Sequence, residues 1–374
     1  MFLFWPSLIL ALYIFCSGVL PLKTSWWAKA LLGIFILGIA LKYQAYTFGS
    51  GTFFEPAVKG SLFFLWEALY GALVVAAFVL LLKDISNLGF WLFWFFGVNI
   101  AFSLNKNAVL FSLLIGSVLA GFLGMYEAVR VPDVRKETIS IKNLAPALQG
   151  TRIVLLSDLH IGPVQGRKWL EEIVRKVNDN DPDLVLITGD FVDGSVSRLM
   201  PELEPLKSIK SKFGVFAVPG NHEYYSNYTR WMEALPRLDI HMLKNEHVLV
   251  RKAGEEIVVA GVTDLGAPRF GLEGPDIEKA FAGSNEEVLR ILLAHQPKTG
   301  SRSRVRFDFQ LSGHTHGGHM FFMYPLIAYF NDGLVSGLYE KDGRSIYVSR
   351  GTGLWNGFSQ RLGVPPEITL ITLE

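Results

Sequence analysis

One cysteine, Cys16, stands in 374 residues. A lone thiol excludes an intrachain disulfide and any cysteine-built metal site. It reads as a small apolar filler in an apolar helix. Charge is scarce too: Asp, Glu, Lys and Arg make up 18% of the chain, below the quarter usual for soluble domains. The formal net charge of +1 gives no footprint for a nucleic-acid polymer. Arginine is missing before Arg130 and histidine before His160. Residues 1–129 hold six lysines and four acids, Glu55, Glu67, Asp84 and Glu127. These absences divide the chain into an apolar half and an ordinary globular half, and its length suffices for two domains.

Five apolar stretches fill the first half: 2–21, 26–45, 61–82, 86–104 and 107–126. Each is near the ~20 residues a helix needs to cross ~30 Å of hydrocarbon. Trp5, Trp26, Trp27 and Trp91 lie near their ends, as an interfacial belt would have them. Residues 1–128 are therefore expected to form an all-α transmembrane region of about five helices in a lipid bilayer, multi-pass in the cell membrane. The second stretch is the weakest, because Lys29 and Lys42 would have to snorkel to the two surfaces. A cleaved signal peptide is disfavoured, since no basic segment opens the chain. Glu67 falls inside the third stretch with no obvious charged partner. It is either a near-interface or hydrogen-bonded residue, or a functional intramembrane carboxylate. With five spans, Lys23, Lys29, Lys83, Arg130, Arg135 and Lys136 share one side and Lys42, Lys59 and Lys106 the other. Six against three places the second half in the cytoplasm.

Residues 129–149 form a connection, in which VRKETISIKNL alternates like an edge strand. Over 150–374, β-branched apolar runs alternate with a helical pattern at 166–179, where Trp169, Leu170, Ile173, Val174 and Val177 repeat at helical spacing. Runs at 184–188, 214–218, 256–262, 290–295, 307–313, 345–351 and 367–373 are apolar without alternation, as strands buried on both faces are. The fold class is α/β, a layered sandwich.

Five polar motifs follow these runs: SDLH (157–160), GDFVD (189–193), GNHE (220–223), AHQP (294–297) and GHTH (313–316). Open α/β sheets bind ligands beyond the carboxyl ends of their strands. Asp158 with His160, and His314 with His316, are i,i+2 pairs that would point the same way in extended backbone. Asp190, Asn221 and His295 bring the candidate ligands to seven, too many for one tetrahedral ion. Two ions sharing a carboxylate, ~3.5–4 Å apart, fit that number, and mixed Asp, His and Asn donors suit Mn, Fe or Zn. Each fragment alone is weak, since GD and GN are ordinary turn signals. Five together, each ending an apolar run, are specific.

The series D-x-H, G-D-x-x-D, G-N-H-E, a lone His, then G-H-T-H resembles the calcineurin-like metallophosphoesterase superfamily over roughly residues 145–374. The GHTHGGH extension and the tail YVSRGTGLWNGFSQRLGVPPEITLITL resemble its membrane-associated bacterial branch, and the multi-span N-terminus resembles animal transmembrane proteins with such a domain. The resemblance implies a four-layer α/β/β/α sandwich over 150–374 and two divalent metal ions. Asp158, His160 and His316 would hold one ion, Asn221, His295 and His314 the other, and Asp190 would bridge them. His222 would stand beside the scissile phosphate as a catalytic group, with Asp193 orienting its ring or, alternatively, only capping a turn. His319 stands where this branch commonly has glutamine, and either contacts substrate or hydrogen-bonds locally. Arg361 and Arg350 could hold a substrate phosphate or serve as salt-bridge partners.

Residues 320–330, MFFMYPLIAYF, follow the last ligands directly. They form either a hydrophobic lip on the bilayer or a loop packed onto apolar surface. The expected substrate is a phosphate ester, a phosphodiester or pyrophosphate, lipid-linked if the lip is real. The alternative is a membrane scaffold whose phosphoesterase domain holds metal without catalysis.

Overall fold

A computed structural model describes residues 4–50, 52, 54–56, 58, 60–98, 105–341 and 343–374. The chain divides into two compact units: Met1–Glu127 with Gly357–Gln360, and Ala128–Asn356 with Arg361–Glu374.

The first unit is helical. Helix α1 (Phe4–Ile14) runs into a wider π-helical turn at Phe15–Val19. Helices α2 (Trp26–Ala40) and α3 (Lys42–Ser50) meet at a bend of 52°. Helices α4 (Gly60–Phe95) and α5 (Lys106–Val129) are long and apolar enough to cross a membrane, and the bent α2–α3 pair qualifies if taken as one span. The expected count of five spans is thus not found among the described residues. The third stretch and most of the fourth fuse into α4, because Lys83-Asp84-Ile85-Ser86 contains no glycine or proline to break a helix. Asp84 instead accepts hydrogen bonds from Tyr13 Oη (2.9 Å) and Ser17 Oγ (2.5 Å). At 36 residues α4 is about 54 Å long, so part of it extends beyond a ~30 Å hydrocarbon layer. The lysine count made for five spans falls with them. Lys59 and the end of the fourth stretch lie outside the described residues.

Glu67 does have a charged partner. Lys42 Nζ lies 2.8 Å from both Glu67 carboxylate oxygens, and neither side chain is exposed. Hydropathy suggests that Lys42 snorkels; α3 turns it inward instead. Tyr46 Oη donates to Glu67 Oε1 at 3.0 Å, and the Ser359 amide donates to Oε2 at 3.2 Å. Lys42 Nζ also donates to the Gly357 carbonyl, and Gln360 Nε2 to the Glu67 carbonyl, each at 2.8 Å. Removing one member of a buried pair strands the other charge. Glu67→Leu should therefore destabilise this unit by about 3–5 kcal/mol, and Lys42→Met/Glu67→Leu by less. Thermal unfolding in detergent checks the order; equal melting of both variants would refute it.

The second unit holds two six-stranded sheets. The first contains β1 (Asp133–Ile139), β2 (Arg152–Leu156), β3 (Leu184–Ile187), β4 (Val215–Ala217), β5 (His241–Met242) and, from the far end of the chain, β12 (Glu367–Leu373), in the order β1-β12-β2-β3-β4-β5. The second contains β6 (Glu246–Lys252), β7 (Glu255–Gly261), β8 (Leu289–Leu293), β9 (Phe309–Ser312), β10 (Gly337–Lys341) and β11 (Arg344–Val348), in the order β10-β11-β9-β8-β7-β6. Strands β2 to β5 are parallel, as are β7, β8, β9 and β11.

Apolar runs such as RIVLL in β2 are buried on both faces. Ile153 and Leu155 join Leu186, Ile257, Val259, Leu293 and Phe309 between the sheets. Val154 and Leu156 turn outward against helix α6 (Arg167–Asn178), whose Leu170, Ile173, Val174 and Val177 form the expected stripe. Beyond the second sheet, Val258, Ala260 and Leu292 pack on Ile277 and Phe281. The layers are α/β/β/α. VRKETI is an edge strand, as its alternation suggests.

Candidate metal centre

The polar motifs follow the carboxyl ends of parallel strands: Asp158 and His160 after β2, Asp190 and Asp193 after β3, Asn221 and His222 after β4, His295 after β8, His314 and His316 after β9. The chain turns sharply at each. Asp158, His160, Asp190, His314 and His316 all adopt positive φ, from 46° to 72°. The i,i+2 pairs are therefore not extended, contrary to the alternation argument; left-handed turns aim them instead. Five non-glycine residues in this region carry backbone strain of order 1–3 kcal/mol each, the kind retained where a site over-determines geometry. Gly220 and Gly313 make room: a Cβ at Gly220 would lie 2.1 Å from Asp190 Oδ1, and one at Gly313 1.8 Å from Ser157 Oγ.

Asp190 lies at the middle of the cluster. Its Oδ1 accepts the His222 amide at 2.8 Å. Its Oδ2 lies 3.2 Å from His295 Nε2 and 3.5 Å from His160 Nε2. His295 Nδ1 is 2.7 Å from the Thr188 carbonyl, so Nδ1 carries a proton. Burial favours the neutral ring, but Asp190 and Asp158 outweigh it and push this ring's proton affinity well up, so without a cation Nε2 holds a second proton. Asn221 Oδ1 at 3.0 Å and His314 Nδ1 at 3.2 Å face the same nitrogen, and a cation there would take that proton's place among the acceptors. On the other side of Asp190, His160 Nε2 is buried without a hydrogen-bond partner. Asp158 Oδ1 lies 3.9 Å from it and 3.7 Å from His316 Nε2. Asp158, His160 and His316 form one group that could hold an ion, Asp158, Asp190 and His295 a second, and His160, Asp193 and His222 a third. The donors fit divalent metal. All seven candidate ligands come together.

Asp193 is buried and ties two rings at once. Its Oδ1 accepts His222 Nδ1 at 2.6 Å and His160 Nδ1 at 2.9 Å. Both rings then present Nε2 inward. Burial pushes the Asp193 carboxyl up, but the two imidazoles outweigh it and hold it well below the usual carboxylate range. For His222, burial favours the neutral ring, while Asp190 and Asp193 favour the cation and prevail, leaving it pushed up to about 9.

Several residues that complete this arrangement carry no role in the motif reading. Glu223, the last letter of GNHE, accepts the amides of Asp190, Phe191 and Gly220 at 2.7–3.0 Å; burial and Asp190 push its carboxyl up to about 8. A carboxylate three residues into a helix that opens with glycine is a capping signal, and it is legible in the sequence. Asn356 donates its backbone and side-chain N–H groups to Asp193 Oδ2 at 2.8 and 2.9 Å; no spacing rule announces it. Tyr225 and Trp355 flank the His222 ring at centroid distances of 5.3 and 5.8 Å, and Phe270 packs on Tyr225 at 5.8 Å.

The structure does not bring Arg361 to a substrate position. Arg361 is fully buried, and its guanidinium donates to the carbonyls of Arg350 and Gly353 at 2.7 Å, with Gly351, His316 and Val364 at 3.3–3.4 Å. It props the loop behind the ligands. The Arg350 side chain lies 3.7 Å from Glu367. His319 packs against His316 at 4.9 Å between rings. Outside the motifs, His247 Nδ1 meets the Ala280 carbonyl and His241 is exposed.

Two facing sheets that gather Asp, Asn and His beyond their strand ends define a metal-dependent hydrolase site of the α/β/β/α type. The profile of calcineurin-like phosphoesterases matches residues 151–318. An uncharacterized metallophosphoesterase of Helicobacter pylori strain J99 is 34% identical over 92% of this chain and 89% of its own length. The chain belongs to the calcineurin-like phosphoesterase family. The transmembrane protein with metallophosphoesterase domain of Danio rerio is 38% identical over 70% of this chain. The match spans 62% of that relative's length, and likewise 62% of the Bos taurus protein of the same name. Among solved structures, the 5'-nucleotidase precursor of Thermus thermophilus superposes with a TM-score of 0.37 at 14% identity, over 59% of this chain and 54% of its own.

Proposed function

We propose that this protein is a membrane-anchored phosphoesterase that uses two divalent ions, Mn, Fe or Zn, to hydrolyse a phosphodiester or pyrophosphate. The observation that carries the reading is the convergence of His160 Nε2, His295 Nε2, Asn221 Oδ1 and His314 Nδ1 around Asp190, with His222 beside it, its Nε2 4.0 Å from Asp190 Oδ2. Asp158, His160 and His316 are assigned to one ion, Asn221, His295 and His314 to the other, and Asp190 to both. Such ions polarise a phosphoryl oxygen and lower the pKa of a bound water. His222 then delivers a proton to the leaving oxygen, while Asp193 fixes the orientation of its ring.

Tyr225 and Phe270, 43% and 45% exposed, set apolar surface beside the leaving-group histidine. That surface supports a substrate with an apolar leaving group, as a lipid-linked phosphate ester has. The apolar helices α4 and α5 support a multi-pass membrane location, and the names of two relatives a transmembrane one.

The test is hydrolysis of bis(4-nitrophenyl) phosphate by the full chain in detergent. Chelation should lower turnover to background, and Mn, Fe or Zn should restore it with two ions bound per chain by elemental analysis. A folded chain that holds two ions and hydrolyses no phosphate ester would be the metal-bound scaffold instead.

A further inference from the structure

Residues 321–330 form a turn, Phe321–Met323, and a helix, Tyr324–Phe330, and none of the ten is buried. The helix reads YPLIAYF. It has no charged side chain and no polar one beyond two tyrosine hydroxyls. A helix on a water-soluble surface shows an apolar stripe inward and polar residues outward. Here both sides are apolar, and the outer one is exposed: Leu326 is 53% exposed, Tyr329 81% and Phe330 60%.

The segment is nevertheless fixed at its ends. The Phe321 amide donates to the Leu362 carbonyl at 2.9 Å, and Met320 before it is fully buried. At the far end Asn331 Nδ2 donates to the Ile327 carbonyl at 2.9 Å. Lys298 Nζ reaches the Phe330 carbonyl at 3.4 Å, and Arg302 pairs with Asp332 through two contacts of 2.7 Å. The one acid near the helix end is thus neutralised and a lysine remains.

We infer that Phe321–Phe330 is an interfacial membrane helix, lying in the headgroup region with Leu326, Tyr329 and Phe330 in the acyl boundary. Its composition suits that layer: aromatic rings with and without hydroxyl groups, aliphatic side chains between them, and a cation at the end. The occupant is a bilayer because the same chain carries α4 and α5, each long and apolar enough to cross one. The helix begins eight residues after His316 and five after His319, so docking holds the ligand turn at headgroup depth. This deepens the proposed function and rests on it for one consequence: lipid-linked esters reach the site without leaving the membrane.

The test uses the full chain in nanodiscs of phosphatidylcholine and phosphatidylglycerol, with Cys16→Ser as background. A bimane label goes on Leu326→Cys, and on Leu249→Cys as a solvent control, since Leu249 is 51% exposed on β6. Brominated acyl chains should quench the label at 326 and not at 249, and iodide should do the reverse. Iodide quenching at 326, or protection from both quenchers, as in a protein contact, would overturn the inference. Enzymatically, Leu326→Glu/Phe330→Glu should raise KM for hexadecyl 4-nitrophenyl phosphate in nanodiscs by roughly tenfold, the equivalent of one apolar side chain's burial. KM for methyl 4-nitrophenyl phosphate should stay unchanged; equal effects on both esters would refute the docking role. If neither ester is hydrolysed by the parent chain, the catalytic reading fails, while the quenching result still decides the helix.

Discussion

Asp190→Asn should lower turnover of a phosphodiester by at least roughly 10³-fold and strip metal from the chain. The carboxylate faces His295 Nε2 and His160 Nε2 through a single oxygen, Oδ2. An asparagine of the same shape keeps the Oδ1 contact to the His222 amide only when its NH2 takes the Oδ2 place. It either turns an NH2 toward two lone pairs or offers a neutral oxygen where an anion stood. On the proposed two-ion reading, both ions would lose their shared charge, and several kcal/mol of transition-state stabilisation with it; each 1.36 kcal/mol is a factor of ten. Elemental analysis beside kinetics reads both effects. Full metal content with unchanged turnover would remove Asp190 from the centre of the site.

The second large effect separates the acid from the ions. His222→Ala should keep both metals and lower kcat by roughly 10²–10⁴-fold, the range of a general acid. Asp193→Asn should do more than disturb His222, because the same oxygen also holds His160. Loss of a partner behind a metal ligand costs roughly 10–100-fold in metal affinity, so this variant should lose both kcat and metal. The pH dependence follows in sign. Without metal, Asp190 and Asp193 push His222 up to about 9; cations held at Asp190 would pull that value down, and the ring loses its proton as the pH rises through it. Turnover should fall on the alkaline side in the parent chain, and that limb should vanish in His222→Ala. A metal content that drops equally in His222→Ala and Asp193→Asn would contradict this division.

The catalytic unit is legible in its sequence because its signals are local. A strand such as RIVLL, buried on both faces, shows as an unbroken apolar run, and each run ends in a motif whose residue types carry chemistry. What the motifs do not show is the backbone beneath them: positive φ at Asp158, His160, Asp190, His314 and His316 is invisible in letters other than glycine. Long-range partners are equally hidden. Asn356 meets Asp193 across 163 residues, and nothing in GLWNGF marks it. Arg361 reads as a phosphate contact or a salt-bridge partner alike, because composition cannot tell a buried guanidinium wrapped in carbonyls from an exposed one. In the helical half the apolar stretches are visible but their breaks are not, since Lys83-Asp84 reads as a loop in hydropathy yet holds no glycine or proline to end a helix. Lys42 and Glu67 pair across 25 residues, beyond the reach of helical periodicity.

The helical unit has its own order of manufacture. Its opening helices leave the ribosome first, yet Gly357–Gln360 belongs to the same unit, and Ser359 lies 292 residues after the Glu67 carboxylate it meets. At about 5–20 residues per second, that gap lasts roughly 15–60 s. For that interval the Lys42–Glu67 pair sits in an apolar bundle without the Gly357 carbonyl and Ser359 amide that later satisfy it. The part of this protein that holds Lys42 and Glu67 is therefore made well before it is finished, and a chain that stops translating before Gly357 carries an unfinished polar site in its helical unit.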